Sequence, residues 1–137
     1  MPASLFKWFV REDGHRAALR LLEAPHRLAA PDLIVAQVAD LVRGKVLRGE
    51  IGRDQGYAIA LAVGRYIPRL VPAVEVAARS LAIALMAGRP VSDGLYVAVA
   101  EATGARLVTA DRCLYERLQG TPFAGLVEPL ETFPGAP

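Results

Sequence analysis

Residues 90 to 111 constrain this chain more than any other stretch. Pro90-Val-Ser-Asp93-Gly-Leu-Tyr96-Val-Ala-Val-Ala-Glu101-Ala-Thr-Gly104-Ala-Arg-Leu-Val-Thr109-Ala-Asp111 predicts a helix, a stop at Gly104 and a short buried strand over Ala105–Val108. Asp93 stands in the first turn of the helix and Asp111 closes the strand. In α/β sheets, ligands gather outside the carboxyl ends of strands, where helices begin. Two carboxylates far apart in sequence are thereby candidates for one site.

The segments on either side extend the pattern. Leu5–Val10 predicts one or two helical turns, Arg11–Gly14 a turn, and His15–Ala24 an amphipathic helix stopped by Pro25. Leu28–Ala30 is a candidate strand, and Pro31-Asp32 suits the start of the next helix, since Pro fits a first turn and Asp complements the dipole. That helix spans Leu33–Leu47; its first half is apolar on most faces, the signature of a buried helix. Asp54–Ile67 and Val74–Ala87 predict two more helices, with a brief strand at Leu70-Val71 between them. Beyond Asp111 come a short helix to Leu118 and an edge-type strand over Leu126–Leu130. Helices separated by very short apolar strands imply a small α/β domain with a short, mainly parallel sheet flanked by helices.

Length and composition narrow the function. A chain of 137 residues reads as one domain, 1–137. Its net charge of +2 permits an anionic partner without demanding one. The single cysteine, Cys113, excludes a disulfide framework and a zinc-ligand pattern, and in a helix it reads as a small apolar filler. Ala58–Val63 and Leu81–Ala87 are too short to span a membrane, and the first residues do not read as a signal peptide. The expected localisation is cytoplasmic.

Several strings resemble one family, the PIN domain, and within it the VapC-type toxins of bacterial toxin–antitoxin pairs. Lys7-Trp8-Phe9-Val10-Arg11-Glu12 resembles the segment after that family's first strand, and Ala30-Pro31-Asp32-Leu33-Ile34-Val35-Ala36-Gln37-Val38-Ala39 resembles the start of its long helix. Val91-Ser92-Asp93-Gly94-Leu95-Tyr96 with Ala105-Arg-Leu-Val-Thr109-Ala110-Asp111 is similar to its most specific signature. The resemblance implies a PIN-like three-layer fold and a metal-dependent endoribonuclease, usually dimeric, cutting RNA and neutralised by a cognate antitoxin. It also implies about four acidic residues around one or two Mg²⁺ or Mn²⁺ ions. Hard divalent cations want oxygen ligands, and a bound ion can activate water and offset charge on a phosphodiester.

Carried over position by position, the resemblance places catalytic and metal-ligand roles on Asp93 and Asp111. The family's first acid, at the end of its first strand, falls on Pro2, with only Met1 before it, so that strand reads as missing or truncated. Its second acid, a Glu, falls on Gln37. Loss of a central strand implies that the sheet closes up, that a partner segment or water fills the gap, or that the natural chain starts upstream. Asp40, one helical turn beyond Gln37, is a further candidate ligand, and Ser4 and Thr109 are candidates to hold a metal-bound water. Each acid also has a structural reading: Asp93 complements a helix dipole, and Asp111 suits an N-cap. Arg43, Lys45 and Arg48 suit either RNA phosphates or a solvated helix end. Two functions remain open: a Mg²⁺-dependent ribonuclease toxin, and a degenerate PIN domain that binds antitoxin or RNA without cutting.

Overall fold

A computed structural model of the chain describes residues 28–132. Within them the order is β1 (Ala29–Pro31), α1 (Leu33–Leu47), α2 (Arg53–Tyr66), β2 (Arg69–Val71), α3 (Ala73–Ala87), α4 (Val91–Thr103), β3 (Leu107–Thr109), α5 (Arg112–Leu118) and β4 (Val127–Pro129). The expected α/β class holds. The elements anticipated before Leu28, the missing or truncated first strand and the candidate Ser4 all lie outside the described residues.

Every strand pairing among the described residues is parallel. β1 pairs with β2, Ala30 opposite Leu70, and β3 pairs with β4, Leu107 opposite Val127. The expected sheet therefore takes the form of two separate two-stranded pairs. Among the described residues the two pairs share no strand pairing.

Helix ends follow their sequence signals closely. The α1 boundaries are those predicted, and α2 and α3 each begin one residue earlier. β3 begins later than expected because the chain first completes a C-cap. Gly104 takes the left-handed conformation (φ 68°), and the Ala105 N–H donates to the Ala100 carbonyl at 3.0 Å. This closing turn occupies the residues between helix and strand.

Two expectations about burial are corrected. Along α1 only Ile34, Val38 and Val42 are buried, one stripe at i, i+4, i+8, while Val35 is exposed. The helix buried on all sides is α4, where every residue from Gly94 to Ala100 is covered. Cys113 is exposed and fills no core position. An apolar residue packs into the core only where its face of the helix meets a neighbour, and α1 meets neighbours on one face.

The packing of α3 against α4 is the most extensive between helices. Its closest point is Gly94: a Cβ built there would lie 2.4 Å from the Ser80 carbonyl oxygen. Ser80 is itself fully buried, and its hydroxyl donates to the Val76 carbonyl at 2.6 Å, so its polar group is satisfied within α3. Asp32 joins the two ends of the β1–β2 pair. Its N–H donates to the Val71 carbonyl at 2.8 Å, and its carboxylate accepts from the Ala73 N–H at 3.1 Å. It thus serves the start of α3, and makes no side-chain cap on α1, the helix it was expected to open.

Candidate functional site

The site is assembled from helix starts and one strand end. Asp93 lies in the first turn of α4, held by a hydrogen bond from its N–H to the Pro90 carbonyl at 3.0 Å. Asp111 follows β3 after Ala110 and caps α5, its Oδ1 accepting from the Leu114 N–H at 3.0 Å. The Asp111 N–H donates in turn to Thr109 Oγ1 at 2.9 Å. Thr109 is 2 % exposed, so its hydroxyl fixes the turn that presents Asp111. The structural role foreseen for Asp111 as an N-cap is real, and its Oδ2 stays available for another partner.

That partner is Arg89. The turn between α3 and α4 places it: Gly88 is left-handed (φ 65°), Pro90 sets the start of α4, and the Arg89 N–H donates to the Ala84 carbonyl at 3.1 Å. Its guanidinium meets Asp93 Oδ2 through Nε at 2.9 Å and Nη2 at 2.7 Å. The same Nη2 lies 3.5 Å from Asp111 Oδ2, and Nη1 lies 3.5 Å from Cys113 Sγ. The Arg89 and Asp93 side chains are each 21 % exposed, so this pair is shielded more than surface ion pairs are. Burial works against the Arg89 charge, yet the hydrogen bond to Asp93 and the charges of Asp93 and Asp111 outweigh it and raise the guanidinium pKa above its ordinary value. It stays charged across the working pH range.

Gln37 reaches the same region from α1. Its Oε1 accepts a hydrogen bond from the Tyr96 hydroxyl at 2.6 Å. Tyr96 is buried one turn along α4 from Asp93, and burial, reinforced by the Asp93 charge, pushes its hydroxyl pKa well above the usual range. It therefore acts as a neutral donor and satisfies the amide oxygen. Asp40, by contrast, is exposed on α1. Glu101 faces a different partner, Arg79, through a two-pronged bond of 2.7 and 2.9 Å, and Arg79 also stacks 5.4 Å over the Phe123 ring.

A family model described as PIN domain matches residues 4–118. This chain belongs to the PIN domain family. Membership points to a nuclease-type function with a nucleic-acid substrate. No curated protein matches the chain. No described helix is long and apolar enough to cross a membrane.

Against a PIN-type metal centre, the described donor set falls short. Among the described residues no group of three or more His, Cys, Asp or Glu side chains comes together as a metal site. Asp93 and Asp111 converge, but on a guanidinium, and the amide at position 37 is engaged by Tyr96. Mg²⁺ demands near-octahedral oxygen ligands and is reluctant to dehydrate, so these side chains, as arranged, do not fit it. Sequence reasoning placed Asp93, Asp111, Gln37 and Thr109 in or beside one locus and missed Arg89. The signal was present: Arg89 stands four residues before Asp93, the spacing at which opposite charges meet along a helix.

The basic residues of α1 are also partly committed. Lys45 and Arg48 both pair with Glu50, at 3.2 and 3.0 Å. A groove of about 380 Å³ between α1 and α2 is lined by apolar side chains with Arg43 and Arg53 beside Tyr57, and it contains neither acid of the site.

Proposed function

We propose that this chain is a PIN domain of toxin–antitoxin type whose cleavage chemistry is impaired, and that it binds RNA and a cognate antitoxin without efficient hydrolysis. One observation carries the reading: the position where the family resemblance expects a carboxylate is Gln37, and its amide oxygen is engaged by a neutral tyrosine hydroxyl at 2.6 Å. A neutral amide oxygen is a weaker ligand for a hard divalent cation than a carboxylate, and it does nothing to lower the potential of the site. The net charge of +2 and the exposed Arg43, Arg53, Arg65 and Arg69 supply the electrostatic attraction that phosphate binding needs. The antitoxin, a homodimeric state and a cytoplasmic setting are part of the proposal and rest on the family resemblance.

A second reading, the Mg²⁺- or Mn²⁺-dependent toxin endoribonuclease, is favoured by a different observation. Asp93 and Asp111 both come within 3.5 Å of one nitrogen atom, so the two acids that the resemblance assigns to catalysis are brought together.

A labelled single-stranded RNA separates the two. Fluorescence anisotropy at two salt concentrations should show binding that weakens as salt rises, and gels with Mg²⁺ or Mn²⁺ present should show the RNA intact. Metal-dependent cleavage that disappears in Asp93→Asn would refute the impaired reading and establish the enzyme.

A further inference from the structure

We infer that Arg89 is the resident cation of the Asp93–Asp111 pair and acts as a built-in competitor that keeps divalent ions out of it. The inference rests on the impaired-site reading and names the residue responsible for part of the impairment.

The geometry carries it. Two carboxylates that share a partly covered space repel each other unless a positive charge lies between them. Here that charge is the Arg89 guanidinium, bonded twice to Asp93 Oδ2 at 2.7 and 2.9 Å and reaching Asp111 Oδ2 at 3.5 Å. The inner oxygen of each acid is thus directed at one planar cation. A metal ion bridging the same two oxygens would have to occupy the space that Nη2 fills. Arg89 is also held from its own backbone, since its N–H is bonded to the Ala84 carbonyl and Pro90 follows it. Among the described residues Arg89 is the cation that pairs with both Asp93 and Asp111, so the clamp is their shared counter-charge.

Competition of this kind has a thermodynamic form. An ion that binds only the open arrangement sees its affinity reduced by the fraction of time the clamp is open. If the clamp is closed roughly ten times as often as it is open, removing it tightens apparent binding about tenfold.

The test is a Mn²⁺ titration of the full chain, followed by the electron paramagnetic resonance signal of free Mn²⁺, with melting by circular dichroism as the check on folding. Arg89→Gln should bind Mn²⁺ at one saturable site, about tenfold more tightly than the wild type, and adding Asp93→Asn should abolish that site. Arg117→Gln is the control. Its guanidinium comes 3.8 Å from a Cβ placed on Gly88, beside the same turn, yet it bridges neither acid. It should match the wild type. Equal gain in Arg117→Gln would show a general field effect and overturn the inference, as would a folded Arg89→Gln that binds no better than wild type. Should Arg89→Gln not fold, Arg89→Lys keeps the charge and loses the two-pronged reach; it too should bind more tightly, and parity with wild type would overturn the inference. Gain of Mn²⁺ binding in a protein that fails to bind RNA sinks the functional reading and supports the clamp. RNA binding without that gain does the reverse.

Discussion

Replacing Gly94 with alanine tests the packing that sets the position of Asp93. A Cβ at Gly94 would lie 2.4 Å from the Ser80 carbonyl oxygen, and 3.2 and 3.4 Å from the Ser80 carbonyl carbon and Cα. All three are backbone atoms of α3, so no side chain can rotate away. Restoring ordinary contact requires the two helices to separate by about 1 Å along their broadest interface, the kind of overpacking that costs ~1–3 kcal/mol. A rigid backbone obstacle belongs at the upper end, about 3 kcal/mol. Alanine's better helix propensity returns about 1 kcal/mol. The net expectation is a loss of about 2 kcal/mol, which for a chain of this size lowers Tm by about 8 °C.

The control is Gly64→Ala. Gly64 is also inside a helix, α2, but it is exposed and a Cβ there would meet nothing within 4 Å. Propensity alone then acts, and stability should rise by ~0.5–1 kcal/mol. Paired urea and thermal melts read both variants. If Gly94→Ala is as stable as wild type, or gains as Gly64→Ala does, the close approach of α3 to α4 is not as described and the reasoning fails.

Three further substitutions or conditions follow from the same geometry. Tyr96→Phe leaves the Gln37 amide oxygen without its 2.6 Å donor and should cost about 1 kcal/mol in a urea melt; no loss would mean that the bond contributes nothing. Asp111→Ala removes the cap on the Leu114 N–H and should cost about 1 kcal/mol, whereas Asp111→Asn, an equally good cap, should stay close to wild type; the two variants melting alike would exclude the capping role. The Glu101 carboxyl is held below the usual carboxylate range chiefly by its hydrogen bonds to Arg79. A depressed folded-state pKa contributes stability that is present above the unfolded value, near 4.5, and lost as pH falls through the lowered value. Thermal melts of Glu101→Gln and wild type should therefore differ at neutral pH and converge as pH falls below the usual carboxylate range, and a difference that persists unchanged in acid would contradict that assignment.

Helices were legible in the sequence because their ends carry local signals. Leu33–Leu47 lies between Pro31-Asp32 and the glycine at 49, and Gly88 and Gly104 stop α3 and α4 by the left-handed turn that glycine adopts readily. Burial was less legible. Leu33–Val42 and Gly94–Ala100 are both apolar runs, and only the three-dimensional position of α4, packed against α3 and β1, makes it the covered one. Asp32 shows the same limit: its carboxylate was read as serving its own helix and serves α3, forty-one residues on, because β1 and β2 lie side by side in parallel. The convergence of Asp93 and Asp111 on one locus was legible from the family signature. What joins them was not, since a contact between Arg89 and Asp111 spans a helix, a strand and two turns.

The charges at positions 37 and 89 are matched to each other. A locus with four carboxylates cannot hold them close without a divalent ion, because their mutual repulsion would raise their pKa values or push them apart. A locus with two has a smaller debt of charge, and a single guanidinium offsets half of it with directed hydrogen bonds that a spherical ion does not make. An amide at position 37 belongs to the same logic. A third negative charge in this region would add to what Arg89 leaves unneutralised, while an amide accepts from Tyr96 and adds no charge. The neutral residue at 37 and the arginine at 89 thus support each other: each makes the other's presence less costly. A carboxylate at 37 or a neutral residue at 89 would each leave the locus more negative than it is. Removal of Arg89 alone would free a two-carboxylate locus for one weakly held ion, and a fuller oxygen cage calls for a carboxylate at position 37 as well.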